Sequence, residues 1–443
     1  MNTGSAIISI ESELAAIVGR EYLRESASVL ARHAIDGVVP EYVVEPGTED
    51  EVAALVRLAN ERKLTLYPEG GRTGQVGRTP PRVDIVLVTT RLNTIEHYDP
   101  GDLTIGVAAG ASVLSVREAV AANNQLLPVE VAHPAPSTIG GVLARAAYGP
   151  LRHGYGPLRD SCLGLRFVTG DGRLAKSGGR VVKNVAGYDL MKLLIGSHGT
   201  LAVITAANLK VYPAPQQTRT FVADFASLSE AIAFRDTVVR SPLTPMCLEI
   251  ASPLAQEFFS SHSDRQTWRV MVRAGGSDAV TARYARDLGS AVTHVFGAQA
   301  EEEYWNSVIE FGERVSGRHQ NAMVVALSVA PSELQHAIEV AERVANENNL
   351  LVACSGRCAI AALNLAFIPM PQGAPVVTQY AQALTRLRES LAPDAACVVT
   401  CCADQVKQHV NVWGATATDV DAMRAVKRAL DGNDVLNRGR FVL

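Results

Sequence analysis

Apolar residues recur at helical intervals at Val52, Leu55, Val56 and Ala59, directly behind Thr48-Glu49-Asp50-Glu51. Such spacing lays one apolar stripe along a helix, and a threonine followed three residues later by glutamate marks a capped start. Strands are expected at Leu64–Tyr67, at the buried run Ile85-Val86-Leu87-Val88 and at the alternating run Leu103–Val107. The turn Asp99-Pro100-Gly101-Asp102 joins this last run to Ile95–Tyr98 as a hairpin. Ser112 caps a helix to about Asn123, and another begins from Ser137 at the turn Thr138-Ile139-Gly140-Gly141. Leu165–Thr169 and Arg173–Lys176 flank Gly170-Asp171-Gly172, a hairpin signal. Tyr188–Ile195 reads as a short helix stopped by Gly196, and Leu201–Tyr212 as a long strand ended by Pro213-Ala214-Pro215.

Beyond Pro215 the texture changes. Helical patterns at Ser227–Arg240, Ser277–Gly289 and Ser332–Asn348 alternate with strand patterns. The strand patterns are Arg269–Arg273, Met323–Val329, Asn364–Ile368, Ala396–Cys401 and His409–Trp413, together an α+β unit with an antiparallel sheet. Asp419–Leu430 reads as a helix, and the polar tail Gly432–Arg440 is expected to return to the first domain. The expected organisation is therefore residues 1–213, a second domain at 214–418, and a returning segment at 419–443.

The chain's 443 residues exceed what one compact core organises. With 47% hydrophobic and 19% charged residues it is an ordinary globular composition, and disorder is excluded. A formal net charge of −4 and scattered Lys and Arg argue against nucleic acid as a partner. No apolar run reaches bilayer length, and the patch Ala6–Ile10 is too brief for a signal-peptide core. The expected location is cytoplasmic, with any attachment to the inner membrane peripheral and made through partners. Seven cysteines, five of them Cys354, Cys358, Cys397, Cys401 and Cys402, do not form a secreted disulfide framework. Their three-residue gaps are wider than those of zinc and cluster motifs, so no metal site is expected.

Glycine carries the chemistry. Thirteen of the 35 glycines lie between Pro136 and Gly199, and a shorter loop, Pro68-Glu69-Gly70-Gly71-Arg72-Thr73-Gly74 with Gly77 beyond, follows the strand at Leu64–Tyr67. Glycine lets main-chain amides approach a ligand closely, so two such loops suggest a dinucleotide held by backbone. Neither is the spaced Rossmann fingerprint, and no P-loop occurs.

In order, PEGGRTG, PSTIGGVLARAAYGP, GYGPLRDSCLGLRFVTGDG and VVKNVAGYDLMKLLIGSHGTLAVIT resemble the FAD-binding domain of the vanillyl-alcohol oxidase and p-cresol methylhydroxylase superfamily. Within it, the nearest likeness is to the FAD-binding second subunit of glycolate oxidase complexes. The likeness covers roughly residues 38–213, and the closing LNRGR resembles that family's terminal signature. It implies a two-subdomain FAD-binding domain with an α+β cap. It also implies that Pro68, Gly70, Gly71, Arg72, Thr73, Gly74 and Gly77 cradle the pyrophosphate. Pro136, Ser137, Thr138, Gly140 and Gly141 would form a second wall, with a helix N-terminus facing anionic oxygen. Gly149, Gly156, Asp160, Val182, Lys183, Asn184, Gly187, Tyr188 and Asp189 would flank the flavin and ribityl chain. Gly199, Thr200, Leu201 and Ile204 would close the adenine side.

Two departures qualify the likeness. Arg72 stands where many members carry a third glycine, either as a phosphate contact or pointing to solvent, and Arg438 stands where proline is usual. No histidine lies near Thr73, where relatives attach flavin covalently, so non-covalent FAD is expected. The resemblance further implies a small hydroxy acid as substrate, hydride transfer to flavin, and partners comprising a second flavin subunit and an iron–sulfur subunit. The cap histidine cluster of D-2-hydroxy acid enzymes is missing. Its nearest remnant is His409 and Asn411, which a strand would place on one face, and Arg357 and His319 are further candidates for a carboxylate contact. A stand-alone flavin oxidase or dehydrogenase of another alcohol, or a non-catalytic structural subunit, are the alternatives.

Overall fold

The computed structural model describes residues 9–180, 188–259, 266–370, 376–414 and 419–442. A four-stranded sheet comes first, in the order Leu23–Arg24, Tyr42–Val44, Ile85–Val88 and Leu66–Glu69; the last three run parallel. The amphipathic helix Glu49–Arg62 covers it, burying Val52, Leu55, Val56 and Ala59. Thr48 Oγ1 accepts from the Glu51 amide at its start, while the Glu51 carboxylate accepts from Gly47 rather than from the cap residue itself.

A five-stranded antiparallel sheet follows, ordered Ile95–Asp99, Thr104–Ala108, Ala202–Lys210, Cys162–Thr169 and Leu174–Gly178. Its apolar face packs on the helices Val113–Ala121 and Ile139–Arg145, joining Ile105, Val116, Val142 and Leu165 in one core. The expected helix over Tyr188–Ile195 shrinks to the single turn Met191–Leu194.

The third sheet has eight antiparallel strands, ordered His294–Gly297, Gln217–Phe225, Trp268–Gly276, Cys247–Ala251, Leu350–Arg357, Ala362–Pro369, Met323–Ser328 and Ala396–Cys401. Helices Leu228–Arg240, Asp278–Leu288, Leu334–Glu347 and Val376–Ser390 cover one face with a continuous apolar core. The other face meets helices Ala298–Ile309 and Phe311–Arg318 at one end and lines a cleft at its centre. Cys354, Cys358 and Cys397 sit in the apolar core as small hydrophobes.

His409–Trp413 is not a strand. It follows the short helix Asp404–Lys407 as a turn, with Asn411 donating to the Gly414 carbonyl and accepting from the Trp413 amide. A side chain that bonds its own local backbone stabilises a turn in place of a ladder.

The closing segment runs back to the first sheet. Leu66 donates to the Val435 carbonyl at 2.9 Å, Asn437 donates to Leu66 at 3.0 Å, and the Tyr67 hydroxyl donates to the Arg438 carbonyl at 2.8 Å. Asp36, buried and left-handed at φ 49°, accepts from both Lys407 Nζ and Arg440 Nη1 at 2.5 Å. One carboxylate thus joins the early chain, the end of the large sheet and the closing segment.

Candidate functional site

Two cavities meet at the first glycine loop. The narrower, about 140 Å³, is lined by Pro68, Gly70, Gly71, Arg72, Thr73, Gly74, Thr138, Gly140, Gly141, Gly199 and Ile204, together with Arg145, His198, Asn437 and Arg440. The wider, about 800 Å³, shares Arg72–Val76, Arg145 and His198 and extends over the floor of the eight-stranded sheet.

The glycines are needed by the protein before any ligand. A Cβ on Gly70 would overlap the Thr138 hydroxyl, and one on Gly71 would overlap the Pro136 carbonyl oxygen. One on Gly74 would overlap the guanidinium of Arg145. The two loops therefore pack main chain against main chain, tied further by the Thr73–Ser137 hydroxyl pair at 2.7 Å. Among the described residues, no protein group accepts a hydrogen bond from any main-chain amide from Gly71 to Val76. A run of unpartnered amides lining a cavity is a nest for anionic oxygen.

The second wall works differently from expectation. The first amides of the seven-residue helix Ile139–Arg145 are already bonded: Ile139 to Ala111, Gly140 to Ala109, Gly141 to Thr138 Oγ1 and Val142 to the Thr138 carbonyl. This wall contributes shape rather than free donors. Arg72 lines both cavities, but its guanidinium is already engaged, turned back to Glu69 and to the Ala34 carbonyl. Of the three arginines that line the narrow cavity, Arg72 is paired with Glu69 and Arg440 with Asp36, which leaves Arg145, a residue inside a helical pattern that sequence reasoning passed over. Among the described residues it has no carboxylate within 4 Å, and burial lowers its pKa, with Glu313 opposing.

Most of the other expected residues that the structure describes stand apart from both cavities. Gly77 packs on the Arg440 carbonyl, Gly156 ends the short helix Arg152–Tyr155, and Asp160 lies on the turn of helix Leu158–Ser161. Tyr188 is 92% exposed, Asp189 pairs with Lys192, and the Thr200 carbonyl accepts from Lys427. Pro136 and Leu201 line neither cavity, Gly149 lines the wide one, and Val182, Lys183, Asn184 and Gly187 lie outside the described residues.

The floor of the wide cleft is polar. Glu249 and Arg357 are directly opposite each other on adjacent strands, and Ser355 and Asn364 are paired beside them. Arg357 is 3% exposed, donates to the Ala362 carbonyl at 3.0 Å, stacks over the Tyr148 ring at 4.4 Å and keeps an unpartnered Nε. Glu130 holds the Tyr148-bearing loop in place by accepting from the Leu151 amide at 2.7 Å, and Arg273 lies 3.7 Å from it. Burial raises the Glu130 pKa, with Arg273 opposing. His133 and Glu313 pair across the cleft. Of the histidine remnant nothing reaches it: His409 and Asn411 are exposed and line neither cavity, and the His319 ring packs on Phe258. His198, which does line both cavities, is held between Trp413 and Phe441, and burial lowers its pKa to about 4.

Residues 40–178, which carry the first glycine loop and most of both walls, match the family model described as FAD binding domain. The chain carries an FAD-binding domain. The unpartnered amides and the free cation beside them fit a dinucleotide pyrophosphate, so the residues present suit the group. The chain is 30% identical over 214 residues to glycolate oxidase subunit GlcD of Bacillus subtilis, covering 48% of this chain and 45% of that one. It is 32% identical over 235 residues to D-lactate dehydrogenase of Archaeoglobus fulgidus, at 53% and 52% coverage. Against glycolate oxidase subunit GlcE of Escherichia coli it is 39% identical over 140 residues, at 31% and 40%. The chain spans about half the length of the curated relatives it matches. Beyond the FAD-binding domain the fold itself is shared. A structure of p-cresol methylhydroxylase superposes with TM-score 0.74 at 17% identity, covering 97% of this chain and 95% of that one. Alkyldihydroxyacetonephosphate synthase superposes equally well, at 97% and 85%. Among the described residues no helix is long and apolar enough to cross a membrane.

Proposed function

We infer that this chain is an FAD-dependent oxidoreductase of small 2-hydroxy acids, acting as a flavin subunit of a glycolate-dehydrogenase type complex. The observation that carries the reading is Arg357, a buried guanidinium with an unpartnered Nε in the cleft that opens from the FAD-binding domain. Among the described residues no carboxylate lies within 4 Å of this guanidinium; a buried cation without such an ion pair is costly unless a ligand supplies one, and its planar fork suits a substrate carboxylate. Relatives named for glycolate, D-lactate and D-2-hydroxyglutarate all act on acids with that group beside a carbinol.

Bound FAD would supply the two-electron oxidant. The amides of Gly71 to Val76 and the Arg145 guanidinium would hold its pyrophosphate without a covalent link. Arg357, steadied by Tyr148, would fix the acid's carboxylate, while Ser355 and Asn364 give neutral contacts beside it. Wall residues Val308, Ile309 and Val324 limit water around the reacting carbon. Electrons would then pass to an iron–sulfur partner, with a second flavin subunit completing the complex.

The reading is tested by anaerobic mixing of the FAD-loaded chain with glycolate, D-lactate or D-2-hydroxyglutarate while flavin absorbance is followed. Bleaching by at least one acid is expected, with Arg357→Met raising the half-saturating concentration at least 10-fold and Arg357→Lys recovering part of it. A flavin that none of these acids bleaches would sink the assignment.

A further inference from the structure

The cap lacks a histidine cluster, yet a hydroxy acid cannot become a keto acid until its hydroxyl proton has somewhere to go. Glu249 occupies the right place on the cleft floor. It is 2% exposed, lines the cleft, and stands directly opposite Arg357 in the sheet register. Its Oε1 has no hydrogen-bond partner among the described residues. A carboxylate buried in the middle of a strand gains nothing for stability there, since an apolar residue would pack as well. Both side chains line the same cleft, so a substrate held by Arg357 would lie beside Glu249.

Resting on the function inferred above, we propose that Glu249 is the proton acceptor for the substrate hydroxyl. The O–H proton passes to the Glu249 carboxylate as the carbonyl forms. Bound FAD would supply the two-electron oxidant that takes the α-hydrogen with its bonding pair, balancing the two-electron oxidation of the acid. The groups facing Glu249 are Arg357 on the adjacent strand, Glu130 from the FAD-binding half, and the thiol of Cys247 on its own strand. Burial raises its pKa to about 8, with Arg357 opposing and Glu130 adding to the rise. This is the range a general base needs at working pH.

The experiment compares the FAD-loaded wild type with Glu249→Gln and Glu249→Asp. Flavin reduction by glycolate or D-lactate is read by anaerobic stopped flow, and oxalate binding by calorimetry. Glutamine keeps the volume but takes no proton, so reduction is expected to slow on the order of 100-fold or more, with aspartate recovering part of the rate. The wild-type rate should rise with pH towards a plateau above 8, a rise the glutamine variant lacks. Oxalate, which carries no carbinol, should bind Glu249→Gln at least as tightly as wild type. Its wild-type affinity should fall as pH climbs through the titration of Glu249, because the ionised side chain repels a dianion, whereas the variant shows no such fall. Equal reduction rates in wild type and Glu249→Gln would remove this proposal alone. Loss of FAD or of oxalate binding in the variant would make Glu249 a support of the cleft and overturn the assignment. Failure of the wild type to be reduced by any 2-hydroxy acid would remove the functional reading and the proposal together.

Discussion

Gly71 faces the carbonyl oxygen of Pro136 so closely that a methyl group on its Cα would overlap that oxygen. The obstacle is main chain, which cannot swing aside as a long side chain would. Gly71→Ala is therefore expected to push the first loop off the second wall and destabilise the fold by about 1–3 kcal/mol, as overpacking does. Flavin content per polypeptide and the thermal midpoint measure this. Gly74→Ala meets only the mobile end of Arg145, so it should cost less stability than Gly71→Ala while still lowering FAD affinity.

Asp36 is the common acceptor of Lys407 and Arg440, with all three side chains nearly buried. Replacing it by asparagine leaves two buried cations without their counter-charge. A loss of about 3–5 kcal/mol is expected, since breaking a buried pair from one side strands the other charge. Chemical denaturation at neutral pH checks the value. An unchanged midpoint would mean that solvent reaches the cluster.

The glycine loop from Gly70 to Gly74 contains no histidine, and the His198 ring beside it is held between Trp413 and Phe441. Acid precipitation of the holoprotein should leave all the yellow colour in the supernatant. Flavin fluorescence remaining on the polypeptide band of a denaturing gel would contradict non-covalent binding.

Glu249 gives a stability signature separate from turnover. Its folded pKa, about 8, lies above the unfolded value near 4.3, so between those limits the native state holds the extra proton. Wild-type stability should therefore fall as pH rises from about 5 to 8, relative to Glu249→Gln, and the difference should level off above pH 8. Its size is on the order of a few kcal/mol. Parallel stability curves for the two proteins across that range would place the native pKa of Glu249 near its ordinary value.

Helices with apolar stripes and side-chain caps were legible from their pattern: Thr48 and Ser227 accept from the amides three residues on, and the helix behind Ser227 ends at Arg240 as expected. The strands that build the cleft floor were harder. Cys247–Ala251 is buried along its whole length with a glutamate at its centre, so it shows neither alternation nor an unbroken apolar run. Leu350–Arg357 hides behind a similar mixture, and with them went the pairing of Glu249 and Arg357, a fact of register between residues more than a hundred positions apart. His409–Trp413 erred in the opposite direction. It alternates as a strand should, but the Asn411 side chain closes it into a turn, and only the Val412 carbonyl reaches the neighbouring strand, at Val399. The glycine loops announced a dinucleotide through their composition. Which amides remain free, and that Arg145 rather than Arg72 is the cation beside them, depends on packing between segments that no local pattern encodes.

The Tyr67 hydroxyl and the Arg438 carbonyl that accepts its hydrogen bond are 371 residues apart in the chain. On a translating ribosome the first sheet and the glycine loop emerge more than 360 residues before Asn437 and Arg440, which complete the cavity wall. Cofactor loading thus waits until the large sheet has been synthesised. A chain stalled before Val435 would present an open glycine loop and hold FAD poorly, so incomplete copies should be colourless.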